Sequence, residues 1–432
     1  MRTSLQAIAK RAKESKKYRF RNLYTMLSEA NLCDSWKFMN RKAAPGIDAQ
    51  TVADYEKNFR GNISDLVMRL KAKRYKARLV RRVLIPKGNG KTRPLGLPVV
   101  EDKLVQMAAA RILSAIFEQD FSQNSYGYRP NLGAQDAVRD ITRELQFGWY
   151  GYVAEADIKG YFDNINHDWL LQMLEQRIDD KAFLSLIRKW LKAGILDTDG
   201  KTIHPGTGTP QGGVISPVLA NIYLHFVLDI WFERVVKPRC RGKAYICRFA
   251  DDFICAFEYP DDAERFFATL PTRLEKFGLN LALDKSRILP FNRHNVKRTS
   301  FDFLGFEFYW SKNRSGGHHL KRRTSRKKFH ASLKSFTDWI RKNRHQRLYS
   351  LFTDLNAKLR GYYNYYGVIG NISSLSEFEY HMERLLFKWL NRRSQRKSVT
   401  WESFRKILGY YKMVKPRITE QWSSKGQSLL FT

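Results

Sequence analysis

Two adjacent aspartates, Asp251 and Asp252, interrupt an otherwise apolar run, Tyr245-Ile-Cys-Arg-Phe-Ala-Asp-Asp-Phe-Ile-Cys-Ala-Phe257. Like charges set side by side next to a buried sheet are costly unless a cation sits on them. A hard divalent ion such as magnesium prefers carboxylate oxygens and suits the pair. Phosphoryl transfer by two metals needs carboxylates converging on ions roughly 3.5–4 Å apart, so a partner must come from elsewhere in the chain. Asp157 is the best candidate. It lies in Val153-Ala-Glu-Ala-Asp-Ile-Lys-Gly-Tyr-Phe-Asp163, where an apolar strand gives way to a polar turn. Taken alone, Asp157 reads equally well as a helix N-cap.

The charge balance fits a phosphate substrate. Lys and Arg number 77 against 42 Asp and Glu, a formal charge of +35 over 432 residues, which favours a polyanionic partner. The excess spans the whole chain and marks no single amphipathic helix, which argues against a membrane surface. Cys33, Cys240, Cys247 and Cys255 form no CxxC pair, so neither a zinc finger nor a disulfide framework is indicated. Such usage suits a reducing compartment. No apolar run approaches the roughly 18 residues that span a bilayer. The basic N-terminus lacks a signal-peptide apolar core and runs directly into globular-looking sequence. A cytoplasmic location (bacterial cytosol or nucleoid) is therefore expected ahead of an organellar one.

The elements that must position the carboxylates can be read around them. Residues 20–75 read as mostly helical, with a turn at Pro45-Gly46. Arg81 to Leu97 reads as two short strands joined by Lys87-Gly-Asn-Gly90. Val105, Ala108 and Ile112 mark a helix, Trp149 to Ile158 a strand, and Trp169 to Ile195 helix again. A glycine-rich loop, Gly206-Thr-Gly-Thr-Pro-Gln-Gly-Gly213, opens a helix through Ser216, Leu219, Ile222 and Tyr223. The double strand around Asp251-Asp252 follows, then a helix from Ala263 to Phe277 and a hairpin over Phe301 to Tyr309 with Gly305 near its centre. Between Lys312 and Arg360 there are 15 Lys and Arg against 2 Asp and Glu. Stripes at Leu348, Leu351, Phe352, Leu355 and Leu359, and at Leu375, Phe378, Met382, Leu385, Leu386 and Trp389, predict a basic helical domain. Residues 311–320 read as the linker to it.

Taken in order, these blocks resemble the fingers and palm of a reverse transcriptase: the strand with Asp157, then Thr209-Pro-Gln-Gly-Gly-Val-Ile-Ser-Pro-Val-Leu-Ala-Asn221, Phe249-Ala-Asp-Asp252 and Gly278-Leu-Asn-Leu-Ala-Leu-Asp-Lys285. More narrowly, the chain is similar to the reverse transcriptase–maturases encoded within group II introns. That match rests on Ala44-Pro-Gly-Ile-Asp48, Ile85-Pro-Lys-Gly-Asn-Gly-Lys-Thr-Arg-Pro-Leu-Gly96, Ser125-Tyr-Gly-Tyr-Arg-Pro130, Tyr365-Tyr-Gly-Val-Ile-Gly-Asn371 and Arg384-Leu-Leu-Phe-Lys-Trp-Leu-Asn-Arg-Arg393. The paired cysteines of the HNH endonuclease that follows in many members are not found, so the resemblance predicts a chain without it.

The resemblance implies an α+β right-hand polymerase fold. Fingers and palm (antiparallel sheet plus helices) would occupy 1–310, with an N-terminal extension over 20–75. An α-helical thumb, the maturase domain, would occupy 311–415 and a tail 416–432. It also implies that Asp157 and Asp251 bind two Mg2+ ions, with Asp252 completing the catalytic cluster and Ile158 placed with them in the metal site. Phe162 corresponds to the aromatic that presses on the incoming sugar and excludes a 2′-hydroxyl, although a core aromatic would look the same in sequence. Gln211 and its glycines resemble the wall of the nucleotide pocket, where small residues admit close backbone approach. Lys87 and Arg93 flank a tight hairpin and are placed to meet a triphosphate, Arg bidentately; Lys91 is a weaker candidate. Lys285 matches a lysine suited to protonate the leaving pyrophosphate, or is a surface lysine. Phe249 stands where members often have Tyr, and its role stays open.

Lys321-Arg-Arg-Thr-Ser-Arg-Lys-Lys328 carries six cations in eight residues, where a plain helical face mixes signs. Lys321, Arg322, Arg323, Arg326, Lys327 and Lys328 are the expected RNA-binding groove. Tyr362, Tyr363, Tyr365 and Tyr366 stack on bases or pack at a helix end. The expected activity is RNA-directed, magnesium-dependent DNA synthesis from dNTPs on an RNA template with a DNA or RNA primer. Structured intron RNA and a DNA target site are the expected partners, in splicing and retrohoming, with no membrane. Two other readings stay open: an RNA-binding splicing maturase with dispensable polymerase activity, and a domesticated or defence-associated enzyme.

Overall fold

The computed structural model describes residues 4–88, 91–204, 206–209, 212–294, 299–312, 315–393 and 399–420. The chain opens with α1 (Leu5–Glu14), α2 (Glu29–Trp36), α3 (Val52–Lys57) and α4 (Phe59–Lys71). Ser4 caps α1, and Thr51 forms a capping box with Asp54 on α3. Then come β1 (Val80–Gly88), β2 (Lys91–Leu97), α5 (Val100–Phe117), α6 (Ala134–Phe147), β3 (Tyr152–Ala156), α7 (His167–Glu175) and α8 (Lys181–Leu191). Two short strands, β4 (Ile195–Leu196) and β5 (Thr202–Ile203), lead to α9 (Ser216–Leu224), β6 (Ala244–Phe249), β7 (Asp252–Phe257), α10 (Pro260–Glu275) and β8 (Arg287–Pro290). The remainder is β9 (Ser300–Phe303), β10 (Phe306–Lys312), β11 (His318–Thr324), α11 (Arg326–Asn343), α12 (Leu348–Tyr366), α13 (Ile372–Leu390) and α14 (Trp401–Tyr410).

The central sheet is antiparallel in the order β6-β7-β3-β8. Both faces are buried, which is why its strands read as nearly continuous apolar runs. Ala154, Ala156, Ile246, Phe253, Cys255 and Phe257 join one core, with α5, α9 and α10. The alternate residues Val153, Tyr245, Cys247, Ile254 and Ala256 join a second core, shared with α6 and the C-terminal helices. That second core includes residues of α11–α14 and so ties the sheet to them. A separate sheet, β2-β1-β4-β5, carries the expected β1–β2 hairpin; the tip, residues 89–90, and the side chains of Lys87 and Lys91 lie outside the described residues.

Two expectations need correction. The segment expected as a linker, 311–320, has its described ends paired as strands: Ser311 with His319 and Lys312 with His318. Phe306, Phe308 and Leu320 alternate inward and are fully or almost fully buried, so period-two burial outweighs the Gly-rich, charged look of the segment. The six-cation run does not lie on one helix either. It is split between β11 and the first turn of α11, which aims its side chains in different directions. The β9–β10 turn has Leu304 (φ 51°) and Gly305 (φ 80°) both left-handed, the geometry a two-residue hairpin favours. No helix among the described residues is long and apolar enough to cross a membrane.

Candidate active site

Strand register brings the three aspartates to one end of the central sheet. β3 lies beside β7 with Ala156 opposite Phe253, so Asp157 leaves the strand level with Asp252. Phe249 pairs with Asp252, which makes Ala250-Asp251 the turn between β6 and β7. Beyond Asp157 an isolated bridge pairs Ile158 with Leu281, made by Lys159 N–H donating to Asn280 O (2.8 Å) and Ala282 N–H donating to Asp157 O (2.8 Å). In such a pair the residue between the two bonds turns its own N–H and C=O to the other side. The Ile158 carbonyl therefore faces the flank on which β7 and its turn lie.

The turn needs a left-handed Ala250 (φ 57°), a conformation that costs an L-residue with a side chain about 1 kcal/mol or more. A buried polar network holds it. Arg248, 1% exposed, donates from Nε and Nη2 to Asp229 Oδ1 and Oδ2 at 2.7 and 2.6 Å. Its Nη1 donates to the Ala250 carbonyl (3.0 Å) and to Asn221 Oδ1 (3.1 Å), and Asn221 Nδ2 donates to Gly127 O (2.6 Å). Asp229 is delivered by a π-helical stretch, His225–Asp229, that follows α9. Burial pushes the Asp229 carboxyl up, but Arg248 and His225 outweigh it and hold the group below the usual carboxylate range. Gly127 is fixed by contact: a Cβ there would lie 2.3 Å from Ala250 N.

Electrostatics couples the three carboxyls. Desolvation, then Asp251, then Asp157 raise Asp252 to about 6, with Lys328 and Lys285 opposing. Water reaches the side chain, so the shift reflects a concave, charged setting and not full burial. The folded chain thus holds a proton at Asp252 that the unfolded chain has released between its ordinary value of 3.8 and about 6. This carboxyl favours folding in acid, and that contribution is lost as pH rises through about 6. Asp252→Asn should accordingly raise the melting temperature of the metal-free protein at pH 7.5 more than at pH 5. Equal shifts at the two values, measured by scanning fluorimetry, would refute the coupling.

The other expected residues are placed as follows. Lys285 Nζ sits on Asp157 Oδ2 at 2.7 Å, and that hydrogen bond, with the Asp157 charge, raises the ammonium's pKa. The ammonium is thus engaged by a carboxylate rather than poised alone. Phe162 is half-buried, its ring edge-on to Tyr128 at 6.3 Å, and its carbonyl accepts from Thr209 N–H (2.8 Å). Gly208 (φ 89°) crosses Asp163 O so closely that a Cβ would come within 2.8 Å, and Gly212 (φ 109°) does the same over Gly96 O at 2.7 Å. The glycine-rich loop is thereby pinned between the Phe162 turn and β2, while Gln211 lies outside the described residues. Arg93 is exposed on β2 and close enough to Tyr128 to lower its pKa, opposing burial and Asp251, which raise it. Phe249 is half-buried against the second core.

Among the described residues no three or more His, Cys, Asp or Glu form a metal-holding group. The described residues show charge coupling of Asp157 and Asp251 to Asp252 at one end of the sheet, and no closed ligand shell. The donor set itself, hard carboxylates with an outward carbonyl beside them, fits magnesium.

Of the expected RNA-binding residues, Arg322 is corrected. It is buried, and its guanidinium is spent on Glu420 Oε2, Thr142 Oγ1 (3.3 Å) and the Ile369 carbonyl (3.3 Å). Arg323 pairs with Glu307 at 2.8 Å and lies over the Tyr309 ring. Lys321 is exposed. Arg326 acts on Glu307, Lys327 on Asp302, and Lys328 on Asp252. Of the four tyrosines, Tyr362, Tyr363 and Tyr366 are buried packing residues, and Tyr365 donates to Leu304 O at 2.9 Å. Tyr128, Asn221, Asp229 and Arg248 escaped sequence reasoning. The available signal was an arginine at an inward position of an apolar strand.

Residues 85–308 match the family described as reverse transcriptase (RNA-dependent DNA polymerase), and residues 318–411 the group II intron, maturase-specific domain. Protein YkfC of Escherichia coli K12 is 31% identical over 304 residues, covering 63% of this chain and 77% of YkfC. Group II intron-encoded protein LtrA of Lactococcus lactis is 43% identical over 173 residues, 39% of this chain but 28% of LtrA. The putative COX1/OXI3 intron 1 protein of Saccharomyces cerevisiae is 35% identical over 199 residues, 46% of this chain and 23% of that protein. The matches to these last two span less than a third of either relative. A solved telomerase from Candida albicans in complex with a fragment of telomeric RNA aligns with a TM-score of 0.45 at 13% identity, over 84% of this chain and 71% of that one.

Proposed function

The chain belongs to the reverse transcriptase family and carries a group II intron maturase-specific domain; on that premise we propose that it copies intron RNA into DNA with Asp157, Asp251 and Asp252 as its catalytic carboxylates. The observation that carries this reading is the register that sets Asp157 beside the Asp251-Asp252 turn, with the charges of Asp157 and Asp251 both felt at Asp252. The family is generally metal-dependent. Asp157, Asp251, Asp252 and the Ile158 carbonyl are the donors that would hold magnesium. Magnesium would supply charge neutralisation and a lowered pKa for the attacking 3′-hydroxyl.

The remaining roles belong to the protein. Lys285 rests on Asp157 through its ammonium; released from it, the ammonium is free to serve the triphosphate. Arg93 reaches toward the same cleft from the β1–β2 hairpin, near Tyr128. The Phe162 turn, braced by the glycine-rich loop, holds its ring against the sugar edge of the incoming dNTP. The maturase-domain match and the intron-encoded relatives favour intron RNA as partner, so splicing assistance and retrohoming to a DNA target are part of the proposal.

The test is extension of a DNA primer annealed to RNA, with purified protein, dNTPs and magnesium. Extension is expected, and a protein that binds the hybrid without extending it would sink the reading. In the same assay Phe162→Val should relax rejection of ribonucleotides by roughly tenfold, since the ring's bulk is the discriminating contact. Unchanged discrimination would remove Phe162 from the sugar pocket. Splicing of the cognate RNA, measured in parallel, separates the maturase role from polymerisation.

A further inference from the structure

A cavity of about 1300 Å³ lies between α6, β11, the first turn of α11 and the segment leading into α13, and none of the three aspartates lines it. Its volume exceeds that of ordinary small-molecule pockets, roughly 300–1,000 Å³, and it is open at one side. Four observations define its chemistry. Arg143 and Lys321 line it without an ion-pair partner among the described residues, and Arg326 adds a third cation, with Asp140 and Glu377 also on the lining. Phe147, at the end of α6, stands 76% exposed at the same cavity, an aromatic face with no core to fill. The third is the edge of β11. Leu320 N–H donates to Gln146 Oε1 and Thr324 N–H to Asn371 Oδ1, so Arg322, midway between them, turns its backbone N–H the same way, toward the cavity. Last, Glu420 lines it with Oε2 engaged by Arg322 and Ile369 N–H, while the buried Oε1 has no partner among the described residues.

We propose that this cavity binds one unpaired nucleotide of single-stranded RNA together with its flanking phosphates. The cations and the α13 N-terminus, where Ser373 and Ser374 also line the space, suit phosphate. A bare phosphate would set its charge against Glu420, whereas a base offers N–H donors to the buried carboxylate oxygen that lacks a partner among the described residues. Guanine, with ring and exocyclic N–H groups on one edge, suits that oxygen best. Phe147 supplies the stacking face. The site joins Arg143 and Phe147 of α6 to the basic run of β11 and α11, and it rests on the reading of RNA as this chain's partner.

The test uses the full chain and a labelled 11-mer RNA, ten uridines around one central guanosine, beside a blunt RNA duplex of equal length. Phe147→Ala, at an exposed position, should weaken 11-mer binding about tenfold and leave duplex binding unchanged. Arg143→Gln should flatten the salt dependence of 11-mer binding by about 0.7 in log–log slope, as loss of one phosphate contact predicts. Replacing the guanosine with uridine should cost the wild type about tenfold, and cost the Phe147→Ala protein less. Binding by both variants within about twofold of wild type, or equal losses on the 11-mer and the duplex, would overturn the pocket. Primer extension by the same preparations separates the two readings. A wild type that never extends, but loses RNA with Phe147→Ala, fails as a polymerase and keeps the pocket. Normal extension with unaltered RNA binding in both variants removes the pocket alone.

Discussion

Asp251→Asn should lower primer extension on an RNA template by about a thousandfold while making the metal-free protein slightly more stable. The activity loss follows from removing a hard anionic donor at the point where charge is neutralised during phosphoryl transfer. Such stabilisation is worth several kcal/mol, and about 4 kcal/mol corresponds to three decades in rate. The stability gain follows from the same geometry with opposite sign. Asp251 is the largest charge raising Asp252, after desolvation. An isosteric neutral group relieves that repulsion, so Asp252 should titrate lower and the protein should lose less stability as pH rises through about 6. A variant that is inactive because it is misfolded would melt earlier, so the two measurements together are diagnostic. Full extension by the purified variant, or a clear loss of melting temperature at pH 7.5, would contradict this account of the site.

Much of this arrangement was legible in the residues. The paired aspartates declared themselves because charge inside an apolar strand run has few structural explanations, and chain order supplied Asp157. The helices and the β1–β2 and β9–β10 hairpins followed from period and turn chemistry. What escaped reading depends on contacts between distant segments. Arg248 looks in sequence like one more cation in a chain with 77 Lys and Arg; only the fold shows it 1% exposed between Asp229 and the Ala250 carbonyl. Gly127 is required by the approach of Ala250, more than a hundred residues away, which no local pattern encodes. The basic run misled for a related reason. Six cations in a row look like one surface, but β-strand alternation turns Arg322 inward while Lys321 faces water. Charge density carries no facing, and backbone geometry decides which cations are exposed.

The same buried network yields the largest stability effect expected outside the apolar core. Arg248→Met removes one partner of a fully desolvated ion pair and leaves Asp229 charged with only His225 nearby. Breaking such a pair costs about 3–5 kcal/mol, and since water and salt do not reach it, added salt should not reduce the loss. Replacing both partners with apolar residues of similar volume is often close to neutral, so the double variant Arg248→Met, Asp229→Leu should recover most of the lost stability. Activity should not return with it. The Ala250 carbonyl and Asn221 Oδ1 still lack the donor that Arg248 Nη1 supplies, and the left-handed Ala250 loses its main restraint. The double variant should therefore melt near wild type yet extend primers at least about tenfold more slowly, with a weakened response to magnesium concentration, because a carboxylate displaced by about 1 Å forfeits much of its catalytic contribution. Stability and wild-type extension restored together would mean that Arg248 holds the fold and not the aspartate turn.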